Sequence, residues 1–430
     1  MIQRVDETHE SDASSVLSSP PSSPCPSVTS PASPIKDNTD VPDLDINHPT
    51  GEPSKPTTGS KARSKKNRKR KREKEKAEKG AEGYSVPPAL KKKHLNNSKS
   101  QSVNFDLGSI RVADNGFTGH HRNHGSQKEY TLDEMVGPES RFKFNLIEWD
   151  GRETMRLIDA QNRVIVMCIG CPEDRKWGNV SQRLAVRVGQ ARQRTKIRKR
   201  NRRGRFKALQ AGVSYGMGMK KPAVLGQASR TNKDVMAELL EDGDMIRIAG
   251  AQSSAFETWS PDLYTSYAQN KCSLVEHDPS LHWNFPNSIF AAITINLGPR
   301  TVSIDHTDYN NRCDGFCGIT PLAPATKGFD YRRGGHLILW DLKIVIEFPP
   351  GTTILVPSAV LRHSNVAIGK DEERYSVTQY TAGGLFQWVE HGFQSEKSFY
   401  SSLSPDELIA QQQKDEFRWI HALNHFPKPT

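Results

Sequence analysis

The chain has 430 residues, of which 35% are hydrophobic and 25% charged, with 60 Lys and Arg against 49 Asp and Glu for a formal net charge of +11. No apolar run approaches the roughly 18 residues that a membrane span needs, and six cysteines without an apolar leader fit a reducing compartment better than a disulfide-built secreted fold. The positive charge is concentrated: residues 61–125 carry net +12 and residues 183–221 carry +14 with no acid among them, whereas residues 1–60 carry −6.

Residues 1 to about 60 are rich in Ser, Pro, Thr and Asp, too poor in apolar side chains to offset chain entropy, and are expected to be disordered. Four Ser-Pro pairs at Ser19, Ser23, Ser30 and Ser33 suit a proline-directed kinase, although low-complexity tails contain such pairs in any case. The run KKNRKRKR over 65–72 reads as a nuclear import signal or a nucleic-acid arm, with a merely solvated charge run as the alternative. The nucleus is the expected compartment, and the disordered basic region is expected to extend to residue 125.

Residues 126–285 read as a support region in which helices dominate. RLIDAQNRVIVMCIG is a hairpin turning near 160–162. A helix is expected from about Ser181 into the basic segment 191–207, and another over 233–240 from an Asn232 cap. Two more follow over 244–259 and 261–276, the second opened by Ser260 with Pro261 at its first position. Met245, Ile248, Ala249, Ala255, Phe256 and Trp259 recur at three- and four-residue intervals, the pattern of a helix packed on a sheet. The basic segment precedes the Gly-rich GVSYGMGMKKP and can present cations beside a site mouth, where phosphate neutralisation would drive salt-dependent binding; the alternative is a surface helix that simply repels itself. Cys168, Cys171, Cys313 and Cys317 could hold zinc, but Cys168 ends an apolar strand and buried thiols are the simpler reading.

Residues 286–400 hold short apolar segments punctuated by turn residues, the signature of an antiparallel sandwich or barrel. Strands are expected over 289–297 and 301–306, the latter placing Val302, Ile304 and His306 on one face. GGHLILWDLKIVIEFPPGTTILVP supplies further strands broken at 341–343 and 349–351. Residues 369–373 look like a hairpin turn after His363 that returns the chain as 374–380, with Arg374, Ser376 and Thr378 sharing a face. The fold class expected is α+β, a double-stranded β-helix or jelly roll with N-terminal helical support. A C-terminal helix within 401–430 opens on the Ser404-Pro405-Asp406-Glu407 capping box and docks Phe417, Trp419, Ile420 and Leu423.

Within this barrel lie His306 and Asp308 in IDHTDYNN, His363 in VLRHSN, and Arg374 and Ser376 in ERYSV. An H-x-D triplet arises by chance about once in a chain with 14 His, so order and strand placement carry the weight. Two imidazoles and one carboxylate are the donor set that holds a non-haem Fe(II) and leaves positions open for a co-substrate and O2. His336 and His282 read as packing or surface histidines. A lone inward Arg374 needs an anion; its fork takes a carboxylate through two hydrogen bonds, and the Ser376 hydroxyl can add a third. A keto acid that chelates the iron and sends its far carboxylate to Arg374 is 2-oxoglutarate.

The ordered pattern H-x-D, distal His and R-x-S resembles the 2-oxoglutarate/Fe(II)-dependent dioxygenase superfamily. HTDYNN is similar to the H-x-D-x-x-N element of its TET/JBP branch, which oxidises the 5-methyl group of pyrimidines in DNA. GGHLILWDLKIVIEFPPG and QYTAGGLFQWV resemble fungal, basidiomycete-type members. The resemblance spans about residues 140–395. It implies His306, Asp308 and His363 as iron ligands, Arg374 and Ser376 as the 2-oxoglutarate anchor, and Asn311 as a contact to a flipped base. The chain departs from the branch in lacking a cysteine-rich zinc-bound extension or an added DNA-binding module. A nucleic-acid base, DNA favoured, is the expected substrate. A protein side-chain hydroxylase on the same iron site, or a non-catalytic nucleic-acid-binding protein on an oxygenase scaffold, are the alternatives.

Overall fold

A computed structural model describes residues 88–122, 128–172, 174, 176–198 and 201–429. The Ser/Pro-rich stretch, its Ser-Pro pairs and the 65–72 run lie outside these residues. Helix α1 (Pro88–Asn96) and strand β1 (Lys99–Ser102) lead, followed by α2 (Leu132–Met135), β2 (Asn145–Ile147), β3 (Met155–Ile158), β4 (Val164–Ile169) and α3 (Trp177–Arg194). Next come β5 (Ala208–Ser214), β6 (Ala223–Val224), α4 (Arg230–Glu241), α5 (Gly243–Trp259) and α6 (Pro261–His277). Strands β7 (Ala292–Asn296), β8 (Cys317–Leu322), β9 (Leu337–Leu339), β10 (Ile344–Ile346), β11 (Thr353–Val356), β12 (His363–Asn365) and β13 (Tyr375–Tyr380) complete the sheets. Helices α7 (Gly383–Glu390), α8 (Glu396–Ser402) and α9 (Pro405–Ala422) end the chain.

The strands form a large sheet, ordered β1-β3-β4-β11-β8-β13-β7-β5-β6, and a small one, ordered β12-β9-β10-β2. Side-chain alternation decides what each face of the large sheet meets. Ile293 and Ile295 of β7 with Tyr375 and Val377 of β13 join a hydrophobic cluster with Val180, Leu184 and Val188 of α3, Val235 and Leu239 of α4, and Met245 and Ile248 of α5. The intervening residues Thr294, Asn296, Ser376 and Thr378 face a cavity shared with Leu337, His363 and Asn365 of the small sheet. Leu184 is fully buried in the helix layer, so truncation to Ala should cost about 2–5 kcal/mol. Gln252 of α5 ties the layers by donating to Thr320 Oγ1 at 2.8 Å and accepting from Gln379 Nε2 at 2.8 Å.

Several expectations need correction. The segment expected to be disordered to residue 125 is folded over 88–122: β1 pairs in parallel with β3, and Leu107 is wholly buried. Its apolar residues are spaced among lysines and polar residues that masked them. The expected boundary at 285/286 does not part the support region from the barrel, because β5 pairs with β7 and extends the large sheet across it. Residues 301–305 form no strand, with a bend at Asp305. Helix α3 starts at Trp177 and ends at Arg194, so the basic segment is mostly loop. Helix α4 is capped by Ser229, while Asn232 lies inside it and accepts from Lys196 N. Ser260 makes no side-chain cap, although Pro261 does open α6.

The 369–373 turn is not a hairpin. Strand β12 pairs with β9 in the small sheet, and β13 pairs with β7 and β8 in the large one. The turn crosses between sheets. The Ser404 capping box is present, with Trp419 buried and Leu423 packed on the core. Phe417 and Ile420 remain 47% and 57% exposed, because the helix presents that face outward. The hairpins β3–β4 and β9–β10 form as expected, each turning through a left-handed residue, Asn162 (φ 60) and Lys343 (φ 54). Among the described residues no helix is long and apolar enough to cross a membrane.

Candidate metal centre

His306 and His363 form an isolated antiparallel bridge, with His306 N donating to His363 O at 3.1 Å and His363 N to His306 O at 2.9 Å. The ring centroids are 4.2 Å apart. Each ring places Nδ1 on the carbonyl two residues back, His306 on Ile304 O at 2.8 Å and His363 on Leu361 O at 2.9 Å. A carbonyl can only accept, so Nδ1 carries the proton and Nε2 keeps its lone pair for a metal. Burial, aided by the facing His363, pushes the His306 pKa well below its ordinary value and keeps that ring neutral.

Asp308 supplies the third donor, placed by its backbone N–H on Ser358 O at 2.8 Å. His306 Nε2 lies 3.8 Å from Asp308 Oδ1, and His363 Nε2 lies 3.9 Å from Oδ2. All three donor atoms fall within 4.8 Å of one another, and no other group of three donors does so among the described residues. Two imidazoles and a carboxylate on one side of a cavity fit a divalent transition metal with its remaining positions open.

The basic segment reaches this centre through Arg203, whose guanidinium pairs with Asp308 Oδ1. Its loop is fixed by Arg203 N donating to Asn201 Oδ1 at 2.8 Å and Ile304 N donating to Arg203 O at 2.8 Å. Burial alone would raise the Asp308 carboxyl; the Arg203 guanidinium, the largest opposing influence, helps hold the pKa well below the usual carboxylate range. Arg202 stands at the rim, 5.7 Å over the Tyr309 ring and 3.9 Å from Asp308 Oδ1.

Arg374 enters the same cavity from the residue before β13 and is 1% exposed. Its Nη1 donates to Thr301 O at 2.8 Å, its Nε has no partner, and no carboxylate meets it among the described residues. Burial pushes its pKa down to about 9. The guanidinium lies 5.6 Å over Phe329. Gly335 (φ +74) makes room there, since a Cβ would stand 2.7 Å from that ring and 3.2 Å from Arg374 Cδ.

Ser376 shares the cavity face, but its hydroxyl accepts from Asn296 Nδ2 at 2.9 Å. Asn311 is placed elsewhere. Its amide donates to Cys317 Sγ at 3.2 Å and Ser358 Oγ at 3.3 Å, bracing the loop behind Asp308 instead of lining the cavity. Arg203, Asn296, Thr294 and Tyr380 line the cavity without having been picked out in the sequence. The polar residues alternating through the apolar AITIN were the available signal for two of them. His336 is wholly buried with neither ring nitrogen bonded, and His282 is exposed, as packing and surface histidines would be. Cys168, Cys313 and Cys317 are buried and belong to no group of three metal donors among the described residues.

A wider cleft of about 400 Å³ lies between α6, α7 and α9, but its charges answer one another: Arg312 pairs with Asp314, and Arg418 with Glu390. No protein-family model and no curated protein match the chain. Among solved structures it is similar to one described as NgTET1 in complex with 5mC DNA, at 12% identity and TM-score 0.40, over 56% of this chain and 83% of that one. It is also similar to an oxidoreductase of the 2OG-Fe(II) oxygenase family from Burkholderia pseudomallei, at 13% identity and TM-score 0.26, over 49% and 92%.

Proposed function

We propose that the chain is an Fe(II)/2-oxoglutarate-dependent oxygenase, built on a double-stranded β-helix, that oxidises 5-methylpyrimidine bases in nucleic acid, DNA favoured. The observation that carries this reading is Arg374: a buried guanidinium that no acid meets among the described residues, in one cavity with His306, Asp308 and His363. Keeping a cation in such a place is costly unless an anion enters, and a dicarboxylate that also chelates the metal satisfies both ends at once.

His306, Asp308 and His363 would hold the iron. The chemistry supplied by bound Fe(II), 2-oxoglutarate and O2 is hydroxylation of a C–H bond with succinate and CO2 as co-products. The protein's residues bind and orient. Arg374 takes the far carboxylate, and Arg203 is a second cation facing the cavity for the near one.

Exposed Lys196, Arg198, Arg202 and Arg205 flank Arg203 along the chain. They suit a polyanion, which phosphate contacts would position without reading its bases. A base in a duplex would have to be extruded to reach the cavity, at a few kcal/mol. The nucleus is the compartment that this substrate and the 65–72 run imply.

The test is incubation of the full chain with Fe(II), 2-oxoglutarate and duplex DNA carrying 5-methylcytosine, followed by digestion and detection of oxidised base. Oxidised base with matching succinate is the expected result. Succinate release stimulated by peptides and never by methylated DNA or RNA would reject the substrate.

A further inference from the structure

We infer that Arg203 couples metal binding to the arrival of a dianion, so that the centre takes up a divalent ion weakly alone and tightly together with a dicarboxylate. The inference rests on the reading of the cavity as an iron/2-oxoglutarate site and concerns how the two are admitted.

The argument is one of charge and placement. Among the residues lining the cavity, the permanently charged ones are Arg203, Arg374 and Asp308, two cations against one acid. A divalent ion would raise that sum to about three positive charges among largely buried groups, where like charges repel more strongly than in bulk solvent. A dicarboxylate removes two of them.

Of the two arginines, Arg203 stands against a ligand atom. It sits on Asp308 Oδ1, which leaves Oδ2, the oxygen nearest His363 Nε2 at 3.9 Å, for a metal. Donors about 2.1 Å from one ion lie about 3 Å apart. The observed 3.8 and 3.9 Å are wider, so metal binding must draw the carboxylate inward against the pull of Arg203.

The Asn201 and Ile304 bonds fix the backbone that carries Arg203, and its side chain is only 19% exposed, held on Asp308. Its Nε is buried with no partner, a spare donor on a residue that lines the cavity. The dianion therefore relieves Arg203 and frees Asp308 in one event. By linkage, whatever factor the dianion adds to metal affinity, the metal adds to dianion affinity.

Titration of the full chain with Mn(II), followed by electron paramagnetic resonance of the free ion, tests this without turnover. In the native chain 2-oxoglutarate should tighten Mn(II) binding on the order of tenfold or more, and acetate should not. Arg203→Met should bind Mn(II) alone more tightly than the native chain, with the 2-oxoglutarate enhancement largely gone. Arg203→Lys, which keeps the charge, should keep the enhancement. A merely structural role would instead loosen Mn(II) binding in Arg203→Met. That result, or an undiminished enhancement in a variant whose circular dichroism is native, overturns the inference. If the native chain binds Mn(II) no better than His306→Ala does, the metal centre itself is wrong and the inference falls with it.

Discussion

His306 and His363 hold one another in place: each backbone N–H bonds the other's carbonyl, and each ring is locked through Nδ1 by a carbonyl two residues upstream. The two nitrogen donors are thus set before any ion arrives. Replacing either ring with Ala removes a ligand outright and should weaken Mn(II) or Fe(II) binding beyond the 10–100-fold typical of losing an outer-shell partner. Competition with a chelating dye measures it.

Asp308 is both a donor and the counter-charge of Arg203. Asp308→Ala should abolish metal binding and leave the guanidinium uncompensated, lowering unfolding free energy by about 3 kcal/mol in urea melts. Adding Arg203→Met to that variant should recover most of the stability and none of the metal binding. An equally unstable double variant would show that the loss lies elsewhere.

Arg374 is buried against Phe329 and Phe348, and no acid meets it among the described residues. Arg374→Met should therefore melt at or above the temperature of the native chain when no ligand is present. With metal and 2-oxoglutarate at 100 times its dissociation constant the native chain should gain about 2.7 kcal/mol. The variant should gain almost nothing at the same concentration, which differential scanning fluorimetry can read.

His336 has no hydrogen-bond partner for its ring, and burial pushes its pKa down to about 4 despite the opposing pull of Asp330. The unfolded chain protonates this ring near pH 6.5. Between those values the unfolded state binds the extra proton, so stability falls as pH drops from 6.5 towards 4, by up to about 3 kcal/mol from this group. His336→Leu should flatten that part of the stability profile, and an unchanged slope would assign the loss to other groups.

Arg198, Arg202 and Arg205 are exposed cations on the segment that carries Arg203. If they neutralise phosphates, charge removal at each should lower the slope of log affinity against log salt by roughly 0.9 for duplex DNA. The effect should be alike for methylated and unmethylated duplexes, because these contacts do not read bases.

Much of the site could be read from the sequence because its residues sit in short motifs whose strand placement fixes their direction. His306, Asp308, His363, Arg374 and Ser376 all reach the cavity. Pairing between elements was far less legible. The turn at 369–373 joins two sheets, which no local pattern distinguishes from a hairpin, and Asn311 follows Asp308 closely but is directed by Cys317 and Ser358. Arg203 was hidden among equivalent cations; what singles it out is the Asn201 turn that aims it, and a tertiary contact of that kind leaves no periodic trace.

Strand β13 serves two environments on alternate residues, Tyr375 and Val377 towards the helices and Ser376, Thr378 and Tyr380 towards the chemistry. Deleting one position inside it would trade the two sets, burying hydroxyls against leucines and turning a valine on the reacting space. Descendants of this chain can thus retune the cavity by substitution or by lengthening its loops, whereas a frame slip within the strand would forfeit scaffold and catalyst together.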